Sequence, residues 1–469
     1  MIKSALLEVC RSLSSTETRE LKKFIRSPFF NQREDVTRLF DHIQSALKAG
    51  KEKALEKEAA FKYVFGNTTY QDAQMRYAMS FLLQLIRQYL TYKESVSDPV
   101  QEKTLMVRAL RNRRLDELFE KEWTEIRNFH AENIHRNIHH HYFNYLLHQE
   151  HYEYAALHQR SGDLQLQEMT NELTIYYVAN VLRWSCVILT LQHLSSRNYE
   201  LPLLAPILRL LEEGKWQEVP AVSIYYSSYK ALSEPDNDEH FRLIKENIRL
   251  YRDLFTEKEI RDIYLMAINY CIQRHNRGAS TYMNELFELY QYGLSQKILF
   301  ENGYLSRFTY KNAATAGLWL KEFDWVATFL REYKDYLHPG ERENTYLYNL
   351  ALFYFRQPDY DKAMELLQQV EFKDVFYNLD GRRMLLRIYF ELNETDALNS
   401  LLDSFAIYIR RQKGLGGHRD NYLNLIRFIR KLQHLKPKDT EAIEALKTEI
   451  KETTSLAERR WLLQQLEKV

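Results

Sequence analysis

Eight of the fifteen histidines in this 469-residue chain fall between His130 and His158, a density that would serve a metal centre if the rings met on one helix face. His135 and His139, and likewise His148 and His151, stand four and three residues apart, spacings that a helix brings to one side. Glu132 and His135 make a single Glu-x-x-His, whereas the carboxylate-bridged centres of helix bundles require two. The HExxH pattern is absent. The histidines alternate with Tyr142, Phe143, Tyr145, Tyr152 and Tyr154. We therefore expect packed or solvated rings on a semi-buried helix surface, with some pH sensitivity and no bound metal. Cys10, Cys186 and Cys271 are too far apart for a metal knuckle, and their odd number fits a reducing compartment.

Other catalytic signatures fail on inspection. The string HRDNYLN, His418 to Asn424, superficially resembles a kinase catalytic loop, but its Asn lies one residue too close to Asp420. Neither the glycine-rich loop nor a DFG triplet accompanies it. No phosphate cradle or nucleophile elbow occurs, and the GLGG at Gly414 to Gly417 reads as an inter-helix loop. A non-enzyme without catalytic residues or cofactors is expected, and a metal-dependent enzyme built on the histidines is the least favoured reading.

Charge offers one departure from the background. The chain balances 65 basic against 64 acidic residues, so bulk charge does not seek a polyanion. Between Phe405 and Lys438, however, Arg410, Arg411, Lys413, Arg419, Arg427, Arg430, Lys431, Lys436 and Lys438 face Asp420 alone. Basic residues suit helix C-termini, and Asp439, Glu441 and Glu444 follow as partners for them. The alternative is a nucleic-acid-associated or regulatory protein that uses Arg410, Arg411, Lys413, Arg419, Arg427, Arg430 and Lys431 against phosphate or an acidic partner.

These residues must sit on helices. With 13 glycines and 9 prolines, the chain has under half of the roughly 12% such residues usual in globular proteins, too few turns for a β-rich fold. An all-α fold of roughly twenty helices is expected. Ser14 and Glu17 have capping-box spacing for a helix that Pro28 stops, and Phe29 and Phe30 are expected to anchor the following turn in the core. Helices follow at about Glu34 to Ala49 and Leu55 to Phe65, then a long one through Met75, Met79, Leu82, Ile86 and Tyr89. The polar ESVSDP, ending at Pro99, divides an N-terminal helical domain (1–97) from the remainder (98–469). Beyond it, breaks occur near Gly162, Pro202, Pro220, Pro235 and Pro339. Ile244, Ile248, Tyr251 and Phe255 form one apolar stripe. The N-terminus lacks a signal-peptide pattern, and the apolar run from Val178 to Leu191 is interrupted by Asn180 and Arg183, so a cytoplasmic protein without a membrane span is expected.

An internal repeat marks the C-terminal half. Leu350, Ala351, Tyr354, Tyr360, Ala363, Leu367 and Val370 are spaced as a helical hairpin, with small residues where two helices must approach. Ala316, Trp319 and Trp325 correspond 35 residues upstream. Tyr389 corresponds 35 residues downstream and Ala397 at 34, which implies a one-residue deletion at LNET. The pattern resembles the tetratricopeptide repeat over 345–372, and more loosely over 311–335 and 379–405, with Pro358 in place of the usual turn glycine. The SPFF opening resembles uncharacterised bacterial proteins and implies no function. The repeat resemblance implies an α-solenoid of stacked antiparallel hairpins acting as a protein-interaction scaffold or adaptor, its groove lined by first helices. On the matching positions the lining would be Tyr348, Leu352, Phe355, Arg356 and Arg387. Tyr348 and Leu352 stand where the family places its Lys/Asn carboxylate clamp, which implies an aromatic or apolar ligand face. The partner expected is another protein or a peptide, with nucleic acid as the alternative and no membrane.

Overall fold

The computed structural model describes residues 1–158, 164–194, 199–370, 375–412, 415–416, 418–436 and 439–468. Gly162, Lys413, Gly414, Gly417 and Lys438 lie outside them. The fold is all-α, with 23 α-helices among the described residues. Two compact units emerge, one of residues 1–133 and 143–170, the other of residues 134–142 and 171–469.

The first unit begins with α1 (Ala5–Ser12), α2 (Ser15–Ile25), α3 (Glu34–Lys48), α4 (Lys57–Phe65) and α5 (Asp72–Ser95) around a core of its own that runs from Leu6 to Tyr89. The capping box at Ser14 and Glu17 is formed in both directions, and the helix it opens ends at Ile25. The turn after it departs from expectation. Phe30 stacks on Phe24 at 3.9 Å, but Phe29 is 86% exposed. Asn31 anchors the turn instead, donating from Nδ2 to the Ile25 and Arg33 carbonyls and to Thr37, so polar bonds replace apolar burial there. Pro99 opens α6 (Pro99–Asn112), with Asp98 capping it. That helix and α7 (Asp116–Glu132) remain in the same compact unit as α1 to α5, although the first core closes at Tyr89.

Both α8 (Ile138–His158) and α9 (Leu166–Leu194) contribute residues to each unit. By length and composition Leu166–Gln192 could cross a membrane, at a mean hydropathy of 1.3, which the expectation from Asn180 and Arg183 did not allow. Its Ile175, Val178, Ala179, Leu182 and Cys186 pack into the core of the second unit. There follow α10 (Leu204–Glu212), α11 (Pro220–Ser233), α12 (Asp238–Tyr251), α13 (Glu257–Asn276) and α14 (Tyr282–Ser295). The stripe expected to reach Phe255 stops at Tyr251, where a 3-10 turn takes over; Phe255 is still buried. A short hairpin, β1 (Phe300–Glu301) with β2 (Tyr304–Leu305), turns on Asn302 and Gly303, both left-handed. Asn-Gly is the dipeptide such turns demand, and the sequence reading passed over it.

The C-terminal hairpins are α15 (Arg307–Leu320) with α16 (Phe323–Glu332), α17 (Arg342–Arg356) with α18 (Tyr360–Gln369), and α19 (Val375–Glu391) with α20 (Thr395–Arg411). First helices neighbour first helices, since α15 packs on α17 and α17 on α19. Ala351 and Ala363 are fully buried within their hairpin. Last come α21 (His418–Gln433), α22 (Thr440–Glu452) and α23 (Arg459–Leu466), which share a separate core with α19 and α20.

Gly317 shows how close these helices come. A Cβ built there would sit 2.6 Å from Val326 Cγ2 on α16 and 3.2 Å from Phe287 Cε2 on α14. Glycine to alanine in an exposed helix stabilises by about 1 kcal/mol. Gly317→Ala should reverse that sign and cost about 1–3 kcal/mol through overpacking. Thermal unfolding reads the outcome, and a raised midpoint would contradict the packing.

Candidate functional site

The densest charge chemistry lies on α19. Around this helix Leu379 and Leu386 fall on one face and Met384 and Ile388 on another, and the two pairs enter different cores. Asp380, Arg383 and Arg387 recur at i, i+3 and i+7 on the stripe between them. Helix geometry thus drives three charges into a seam flanked by apolar packing.

Asp380 is satisfied from four helices. Its Oδ2 accepts from Lys311 Nζ on α15 and, at 3.1 Å, from Tyr348 Oη on α17. Its Oδ1 accepts from Tyr422 Oη on α21 at 3.0 Å and lies 3.6 Å from Arg383 Nε on α19 itself. Burial alone would push this carboxyl up; Arg383 and Lys311, aided by Tyr422, more than reverse that and hold it at about 2. The Lys311 ammonium also stands 4.9 Å from the Tyr377 ring centre and 5.3 Å from that of Tyr348.

Glu458 is the second carboxylate. It precedes α23 in a left-handed conformation, φ +56°, and pairs with Arg383 and, at 3.3 Å, with Arg387 Nη1. Burial raises its pKa, and Arg383, Arg387 and Arg356 together bring it below the ordinary range. The loop reaches this position because it is pinned. Arg459 donates to the Ile450 and Lys451 carbonyls at 2.6 Å and to those of Thr453 and Thr454, closing the C-terminus of α22. Asn424 of α21 donates to the Ser455 carbonyl, and the Ala457 N–H donates to the Asn421 carbonyl.

Arg387 lies 5.0 Å from the Phe355 ring centre and 5.6 Å from that of Trp461, and its buried Nε–H has no acceptor among the described residues. Arg356, at the end of α17, is exposed and makes no hydrogen bond or ion pair with the described residues. Its pKa is lowered by partial burial and by the like charges of Arg383 and Arg387, against the pull of Glu458. Among the described residues, Lys311, Arg356, Arg383 and Arg387 thus face two carboxylates, Asp380 and Glu458. A cleft of about 340 Å³ opens beside this face at the starts of α15 and α17, lined among others by Arg307, Glu341, Thr345, Leu347 and Tyr377.

The five positions read as a groove lining divide. Arg356 and Arg387 meet in the cluster, but Tyr348, Leu352 and Phe355 are buried. Neighbouring first helices pack against them, so they are core residues and offer no apolar ligand face. Lys311, Asp380, Arg383 and Glu458 were not singled out from sequence. For Asp380, Arg383 and Arg387 the signal was present, as charges at helical spacing inside an otherwise apolar helix. Glu458, 75 residues from Arg383, left none.

The basic segment is largely engaged locally. Arg427 and Lys431 pair with Glu449 at 3.5 and 2.5 Å, Arg430 pairs with Asp403, and Arg419 donates to the Gln412 carbonyl. The acids involved are Glu449 and Asp403 in place of the expected Glu441 and Glu444, because the last turn of α22 faces α21. Arg410 and Arg411 stay exposed at the end of α20. Of the histidines, His135 precedes α8 while His139 lies within it, so they do not share a helix face. His151 stacks on Trp123 at 5.3 Å, His148 bonds Gln165, and His158 approaches Asp116. Among the described residues no three His, Cys, Asp or Glu side chains come together as metal ligands. Comparison of the chain with family models, with curated proteins and with solved structures finds no match.

Removing the Asp380 charge leaves Lys311 and Arg383 facing each other in the seam. Asp380→Asn should cost about 3 kcal/mol at neutral pH, as for a broken buried pair. The folded pKa of about 2 lies below the ordinary value of about 3.9. The stabilisation it carries, about 2.6 kcal/mol, is complete above pH ~5 and lost as the pH falls through about 2. The deficit of the Asn variant should therefore shrink over that window in urea unfolding, and a deficit independent of pH would contradict the assignment.

Proposed function

We propose that this chain is a non-catalytic interaction scaffold, a tetratricopeptide-like stack of helical hairpins that receives a partner protein or peptide on the face shared by α15, α17 and α19. The observation that carries this reading is the meeting of Lys311, Tyr348 and Asp380. These side chains come from the first helices of three successive hairpins, and their bonds tie those helices side by side. Extended partners suit such surfaces, because a row of parallel helices offers contacts along its whole length. The 35-residue correspondence between the hairpins and the full burial of Ala351 and Ala363 support the stacked arrangement. Action in the cytoplasm goes with it. Engagement of Arg427, Arg430 and Lys431 by nearby acids speaks against the nucleic-acid alternative.

A photo-reactive residue at Arg356 on α17 should capture a protein partner in the native host. The same residue at exposed Lys362 on α18 should not. Capture from Lys362 alone, or of nucleic acid from Arg356, would refute the scaffold reading.

A further inference from the structure

Among the described residues Arg356 is a guanidinium without a hydrogen bond or ion pair, beside a cluster in which Lys311, Arg383 and Arg387 meet Asp380 and Glu458. A salt-bridged arginine spends its donor fork on a carboxylate; Arg356 spends none. Arg387 is held between Phe355 and Trp461 and satisfies only one side of its fork, through Glu458. The contact of Arg387 with Phe355, the residue before Arg356, places the two guanidiniums on neighbouring helices, and exposed Arg356 beside the Glu458-paired Arg387 offers a receptor for an oxyanion.

The occupant already present indicates the class of ligand. Glu458 arrives on an irregular segment between α22 and α23 and places its carboxylate on Arg383 and Arg387. A protein carboxylate carried by a non-helical strand of chain is thus what these arginines accept. Arg356, exposed and without a hydrogen bond or ion pair among the described residues, is left to take a second one. We propose that the arginine face of α17 and α19 binds an acidic peptide, a Glu- or Asp-rich segment of a partner protein, with Arg356 and Arg387 taking a carboxylate next to that of Glu458. This rests on the scaffold reading and gives its partner a chemistry.

Fluorescence anisotropy tests it with a labelled peptide alternating glutamate and glycine, and with its glutamine counterpart. The full-length protein should bind the glutamate peptide and not the glutamine one, more weakly at higher salt. Arg356→Gln should weaken binding roughly tenfold or more, the scale of a lost charge-assisted contact, with thermal unfolding little changed because Arg383 and Arg387 still pair with Glu458. Arg356→Lys should restore part of the affinity. Glu458→Gln should tighten binding by removing a competing charge. The double change Arg410→Gln with Arg411→Gln should leave affinity as it is. Absence of binding overturns the inference, as does binding indifferent to Arg356→Gln. So does preference of the same arginines for inorganic phosphate or a single-stranded oligonucleotide over the peptide. The scaffold reading is judged separately, since cross-linking at Arg356 still reports a non-acidic partner when the glutamate peptide fails.

Discussion

A carboxylate withdrawn from water must find its compensation within the chain, and Asp380 draws it from four helices at once. Lys311, Tyr348, Arg383 and Tyr422 converge on its two oxygens. Each is worth little alone, but the group they satisfy is expensive to leave unsatisfied. The arrangement is therefore cooperative: any helix that drifts strips a bond from a charge with only 22% of its side chain open to solvent. The spacing of α15, α17 and α19 and the seat of α21 follow from that requirement.

The same accounting explains the surplus. A seam with two carboxylates and four cations is not neutral, and the imbalance collects at its accessible end, on Arg356. Arg383 is shared between Asp380 and Glu458, so it links the hairpin helices to the loop that precedes α23. Glu391 reinforces that link, accepting from Trp461 Nε1 at 2.7 Å and from Gln465 at 2.8 Å. The C-terminal helices are thus fastened to α19 by charge at one point and by an indole bond at another, over the shared apolar core.

Much of the fold was legible because helix signals are local. The capping box at Ser14, the stop at Pro28 and the small residues Ala351 and Ala363 each act within a few positions, and each lies where its chemistry requires. The site was half legible for the opposite reason. The repeat resemblance marked Arg356 and Arg387 as first-helix positions, but whether Tyr348, Leu352 and Phe355 face solvent depends on how tightly the neighbouring first helices close over them. No periodicity in the sequence encodes that distance. Tyr422 sits in the string that superficially resembled a kinase loop; its phenol, not Asp420, joins the cluster, through a partner 42 residues away. Phe29 was misplaced because an asparagine, Asn31, took over the anchoring.

The central claim is that Arg383 and Glu458 couple the hairpin helices to the C-terminal ones through charge. A double-mutant cycle of Arg383→Met and Glu458→Gln, read by hydrogen exchange in α23, measures that coupling directly. The account predicts a coupling free energy of at least about 1 kcal/mol, the scale of residues in one ion-pair network. Additivity of the two changes within about 0.5 kcal/mol would contradict it.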